Sequence, residues 1–224
     1  AAHTRLGWRI ERTPRNGALV TLIARLLKDS GYGLLEQNLL RTQKLLGAGC
    51  HLRTGREYML FLLDGSPRAG QSLDEVSSLL LAELEKLRKG EYGDWRIGAV
   101  AENCRVTIEE ISEGDNMNLA WEFADLFVNG DSYAELLATP DRIAGFTKKD
   151  VTEFIEKYFK YHIRVDKTTG EPTNRVKVEK PKITPVALNS EKESEYSRAF
   201  LRLPPPPAIE PRFVDVAKDI SSVE

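Results

Sequence analysis

Histidine and cysteine are scarce in this chain. Its 224 residues include three histidines, His3, His51 and His162, and two cysteines, Cys50 and Cys104. No Cys-x-x-Cys occurs, which excludes a zinc ribbon and a thioredoxin-type redox pair. The cysteines read as small core residues, with a disulfide or a reactive thiol as the alternative. A three-ligand zinc site would have to draw carboxylates from distant segments, because histidines alone cannot supply it. Gly-x-Ser-x-Gly and the phosphate-binding P-loop are both missing, removing two further enzyme classes. Gly31-Tyr-Gly33 and Gly47-Ala-Gly49 are too short for a nucleotide fingerprint and read as helix ends. A basic excess is also lacking. With a formal net charge of -2, the chain has no surplus cation to displace counterions, so no nucleic-acid partner is expected. No apolar run approaches the roughly 20 residues of a membrane-spanning helix, so no membrane partner is expected. The opening AAHTRLGWRIERTP has no signal-peptide apolar region and reads as the start of an excised piece.

A hydrophobic fraction of 41% and a charged fraction of 29% suit a globular domain with a substantial core. Leu6, Trp8 and Ile10 alternate with polar or small residues over Leu6–Arg12, the period of a half-buried strand. Pro14 to Gly17 reads as a turn. Ala18–Leu27 follows as an amphipathic helix, with Leu19, Leu22, Ile23, Leu26 and Leu27 on its apolar side. A helix over Leu34–Leu46 would place Leu35, Leu39, Leu40 and Leu46 on neighbouring positions. Ala48–Arg53 and Arg56–Leu63 read as a hairpin turning at Thr54-Gly55. The continuous apolar run from Tyr58 to Leu63 implies burial on both faces or a central place in the sheet, and Asp64 to Pro67 ends it. Ser72-Leu-Asp-Glu75 is a capping box ahead of a helix that closes at Gly90. A further helix spans Asp94–Ser112.

The most informative stretch is Gly114–Tyr161. Asp115 or Asn116 starts a helix whose Leu119, Trp121, Phe123, Leu126 and Phe127 are dense enough to be mostly buried. Asn129-Gly130-Asp131 stops it, Asp131 or Ser132 caps the next helix, and Pro140 blocks propagation. Thr147-Lys-Lys-Asp150 is a capping box with Asp in place of Glu. The stripe Val151, Phe154, Ile155, Tyr158 and Phe159 follows, and then a strand over Tyr161–Val165. Beyond it, Arg175–Glu179 alternates like an edge strand. A short helical window lies within Ser190–Leu203, and Pro204 to Pro207 favour an extended spacer.

The element order gives an α+β fold, a mainly antiparallel sheet packed against helices on one face. The run PDRIAGFTKKDVTEFIEKYF, preceded by an apolar helix and an Asn-Gly turn and followed by a strand, resembles the end of the non-catalytic domain of insulinase/pitrilysin zinc peptidases. Ile143 and Phe146 fall where that family has a hydrophobic pair before a Thr-x-x-Asp helix start. The tail resembles the segment joining the two halves of long family members. The resemblance implies a non-catalytic α+β domain over 1–167 and an edge strand plus proline-rich interhalf linker over 168–224. It implies a parent chain that cleaves peptides with zinc-bound water, zinc residing in a separate catalytic domain. This chain would pack on that domain and on the second half, and help wall the peptide chamber.

The family's His-x-x-Glu-His, two ligands and a general base on one helical face, occurs nowhere in this sequence. No residue is therefore assigned as catalytic, cofactor-binding or metal-ligating, and the chain alone is expected to be inactive. Arg56 and Tyr58 resemble a substrate-binding Arg and Tyr of the family, but their context does not match and they stay unassigned. Glu109, Glu110 and Glu113 read as a solvated face. The alternative is an inactive structural or binding module with no proteolytic parent, comparable to the core subunits of the respiratory bc1 complex.

Overall fold

The computed structural model describes residues 2–29, 31–170, 179, 181–184, 186 and 192–204. Two compact units divide the chain, Ala1–Glu171 and Pro172–Glu224. In the first, strands β1 (His3–Glu11), β2 (Gly47–Thr54), β3 (Tyr58–Ser66) and β4 (Ile163–Lys167) form one antiparallel sheet in the order β2-β3-β1-β4. The helices are α1 (Pro14–Leu27), α2 (Leu73–Arg88), α3 (Trp95–Glu113), α4 (Asn116–Asn129), α5 (Tyr133–Ala144) and α6 (Lys148–Tyr158). In the second unit, α7 (Glu195–Leu201) falls inside the helical window read from the sequence. The suggested edge strand at Arg175–Glu179 and the proline run lie mainly outside the described residues. No described helix is long and apolar enough to cross a membrane.

Strand alternation builds the core. Leu6, Trp8 and Ile10 of β1 pair directly with Leu63, Phe61 and Met59 of β3, and all six point to the buried side. Apolar stripes of α1, α2 and α6 cover them. Trp8, Phe61 and Phe159 form an aromatic cluster with ring centres 4.9 to 5.9 Å apart, within the range where edge-to-face contacts add to burial. α3 packs on α1 and α5, further from the sheet. Glu83, buried on α2, accepts hydrogen bonds from Asn38 and from Lys86, so its charge is paired rather than stranded.

The caps follow the sequence closely. Ser72 accepts from the Glu75 amide, Asp115 from Met117 and Ser132 from Glu135, which selects Asp115 over Asn116 and Ser132 over Asp131. Gly130 ends α4 at φ 75, where a Cβ would be strained, and its amide and that of Asp131 return to the last turn. Thr147 and Asp150 close a reciprocal box despite the shorter acid.

Several boundaries differ, each for a local reason. Pro14 to Gly17 are the first turn of α1, not a free turn. Thr13 caps it and Pro14 sits at N1, where a missing N–H costs nothing. The helix expected over Leu34–Leu46 shrinks to a π-turn at Glu36–Leu40, with Arg41 N–H reaching back to Glu36 O and Gln43 at φ 55. The wider turn lets Leu34, Leu35 and Leu39 all enter the core; Leu45 joins them, while Leu46 stays 75% exposed. The hairpin turns at Gly55 to Glu57, so Arg56 precedes β3 rather than lying in it. β3 takes the central place expected of its apolar run. It is buried on one face only, and it continues through Asp64-Gly65-Ser66. Pro140 lies inside α5, and β4 starts two residues late at Ile163. The largest departure is α4. Only Leu126 of its apolar residues is buried, because α4 rests on the outer side of α3, away from the sheet.

Gly65 sits where β3 meets α2: a Cβ there would lie 2.4 Å from Val76 Cγ1 and 3.1 Å from Leu80 Cδ1. Gly65→Ala should cost about 1–3 kcal/mol in denaturant unfolding, and adding Val76→Ala should recover part of the loss. The Asp150 carboxyl is held down to about 2 from an ordinary 3.8 by hydrogen bonds from the Thr147 hydroxyl and amide, with Arg15 assisting. A depressed carboxyl stabilises fully above its unfolded value and loses that contribution as pH falls through its folded value. Asp150→Asn should therefore lower stability by about 1 kcal/mol at neutral pH and flatten the stability curve between pH 3.8 and about 2.

Candidate functional site

The sheet has one covered and one open face, and the open face is the first candidate surface. β1 offers Arg5, Gly7, Arg9 and Glu11 there, and β3 offers Tyr58, Leu60, Leu62 and Asp64 in register with them. His51 and Arg53 of β2 lie opposite Leu62 and Leu60, and Ile163 and Val165 of β4 opposite Gly7 and Arg5. Arg5 grips Asp64 through Nε (2.5 Å) and Nη2 (3.2 Å), and His51 Nε2 approaches the same carboxylate at 3.3 Å. The hydrogen bond to Asp64 is the main cause that raises the Arg5 guanidinium above its ordinary range, with burial opposing and the Asp64 charge assisting. Arg9 stacks 4.6 Å from the centre of the Tyr58 ring. The surface is thus apolar and basic, with a depression of about 410 Å³ bounded by Arg5, His51, Arg53 and Leu62. A Cβ at Gly7, beside it, would press on Leu62 at 3.2 Å. Among the described residues β2 and β4 are the sheet's edges, and such edges present backbone donors and acceptors to an added strand.

A second candidate is an open cavity of about 1200 Å³ between α1, α3, α4, α5 and the β2–β3 turn. Arg12 anchors its rim. Its guanidinium donates to the carbonyls of Asn129 and Arg56 and pairs with Asp131, so one side chain ties the end of β1 to two turns. Arg142 pairs with Glu135 along α5, and Arg25 donates to the Thr107 hydroxyl at 3.4 Å. Apolar residues such as Leu52, Met59 and Ile108 complete the wall. No sequence pattern marks Arg12, because its partners lie 44 and 117 residues away.

The residues singled out by type are dispersed. His3 opens β1 opposite Lys167, His51 is on the open face, and the His162 ring packs 5.4 Å from Trp8. Cys50 and Cys104 are buried, free and on different elements, which removes the disulfide alternative. Burial is the main cause that pushes the Cys50 thiol up to about 12 and raises Cys104 as well, so neither is a ready thiolate nucleophile. Glu109, Glu110 and Glu113 are solvated, as expected. Tyr58 is 39% exposed beneath Arg9 rather than a core residue. Among the described residues no group of His, Cys, Asp and Glu is gathered to hold a metal ion. What the open face can do chemically is bind: backbone pairing at an edge, apolar contacts between strands, and charge from Arg5, Arg9 and Arg53.

No protein-family model and no curated protein sequence matches the chain. Solved structures do. A protease from Helicobacter pylori superposes with a TM-score of 0.67 at 19% identity, covering 74% of this chain and 40% of that one. A chain described as the inactive peptidase domain of a candidate zinc protease from Bordetella parapertussis superposes at 0.65 and 15% identity, covering 80% of this chain and 96% of that one. A chain of complex III from Candida albicans does so at 0.58 and 10% identity, covering 74% and 42%. Other matches are described as an M16-like peptidase and an M16 inactive domain. The chain spans less than half the length of the Helicobacter protease. Its fold is that of the peptidase domains of M16-type zinc proteases, inactive ones included, as the resemblance to insulinase-type domains implied.

Proposed function

We propose that this chain is a non-catalytic domain of a zinc metallopeptidase, packing on a zinc-bearing domain and on a second half of the same parent and walling part of its peptide chamber. The observation that carries this reading is a pair: a peptidase-domain fold that aligns over nearly the whole of an inactive domain, in a sequence without His-x-x-Glu-His. Zinc belongs to the missing partner domain, where it would activate water for hydrolysis. This chain's part is to bind and orient. An extended peptide adds to the outer edge of β2, and its side chains alternate onto the open face beside Arg5, Arg53 and Leu62. Residues 168–224 serve as the connection to the second half.

The likeness to a complex III chain favours a second reading, an inactive structural module with no proteolytic parent. A His-x-x-Glu-His upstream in the full gene product separates the two.

The test is a calorimetric zinc titration paired with cleavage of a fluorogenic peptide. The chain alone should give no saturable heat and no chelator-sensitive cleavage, and adding the zinc domain in trans should restore hydrolysis. Stoichiometric zinc binding with cleavage by the chain alone would overturn the proposal.

A further inference from the structure

α4 is built inside out. Leu119, Glu122, Leu126 and Asn129 face the body, and of these only Leu126 is buried. The apolar residues lie on the outer side: Met117 is 62% exposed, Trp121 65%, Phe127 86% and Val128 67%. Met117, Trp121 and Val128 share one stripe at i, i+4 and i+11, and Phe127 flanks it. A surface helix normally carries the opposite pattern. Scattered apolar residues on a surface need no explanation, but a contiguous stripe with an aromatic ridge marks an interaction face. Among the described residues nothing covers it.

The charge around the stripe indicates what does. Between Arg105 and Arg142 the sequence contains no lysine or arginine, while Glu113, Asp115, Glu122 and Asp125 lie on α4 or lead into it. Asp125 is one turn from both Trp121 and Val128. Glu122 turns toward the body, so the acid that borders the stripe itself is Asp125, with Glu113 and Asp115 at its N-terminal end and no lysine or arginine on α4. A second copy would set acid against acid, and an anionic lipid surface would be repelled for the same reason.

We infer that the outer face of α4 docks a cationic amphipathic helix, its apolar side on Met117, Trp121, Phe127 and Val128 and its lysines or arginines against these bordering acids. Two helices of α4's length pack ridges into grooves along such a stripe. The inference rests on α4 alone and stands or falls independently of the peptidase reading.

The experiment uses the full chain and a fluorescent synthetic helix of about five turns, leucine on one side and lysine on the other, followed by anisotropy. The controls are the same composition scrambled and a version with every lysine replaced by glutamate. The lysine helix should bind about tenfold or more tighter than either control, and weaken as salt rises from about 0.05 to about 0.5 M. Trp121→Gln with Phe127→Gln should cost about tenfold or more, and Asp125→Lys should weaken binding while leaving the melting curve in place. Both substitutions are on exposed positions, so the fold survives them. Equal binding of the scrambled or glutamate helix, or binding indifferent to both variants, would overturn the proposal. So would a concentration-dependent dimer that buries Trp121, which would make a second copy the occupant. A Trp121-dependent shift on uncharged vesicles would assign the face to a membrane instead.

Discussion

The pairing of β1 with β3 is the contact on which the rest of the domain depends. These central strands present Leu6, Trp8 and Ile10 against Leu63, Phe61 and Met59, and every covering helix is placed by that one apolar sheet face. Because side chains alternate along a strand, a one-residue slip would turn this set out to solvent and bring Arg5, Arg9 and Leu62 inward. The register is thus fixed by the cost of burying guanidinium groups as much as by the gain from packing. Covering one face leaves the other open among the described residues, and the proposed peptide contact rests on that asymmetry.

Much of this architecture is legible in the sequence, for reasons that are local. Strand alternation around Trp8, the Ser72 and Thr147 caps and the Gly130 stop depend on residues within a few positions of one another. The failures share the opposite character. Leu34 to Leu46 has helix-forming composition, yet satisfying three leucines at once requires a wider turn that only the surrounding core imposes. Pro14 to Gly17 read as a turn, yet they form the first turn of α1, because Thr13 caps it and Pro14 fits at N1. α4 carries the apolar density of a buried helix, but burial depends on what lies beside it, and periodicity is silent on that.

The candidate surfaces divide in the same way. The lack of His-x-x-Glu-His is a sequence fact, legible before any geometry is considered. The open face needed the register: only the pairing of β1, β2 and β3 brings Arg5, His51 and Asp64 together. Arg12 needed the tertiary structure outright. Its contacts reach two distant turns, and no spacing rule could connect them.

The edges of the sheet carry a consequence for how the domain keeps company. β2 bears His51 and Arg53 outward, and β4 bears Lys167 and Arg164 beside exposed Ile163 and Val165. Two identical β2 strands laid side by side would bring their Arg53 guanidinium groups onto one seam. An incoming acidic or neutral strand meets no such penalty. The same basic side chains that would help hold a visiting peptide therefore discourage sheets from stacking edge to edge into fibrils, so solubility and selectivity draw on one set of residues.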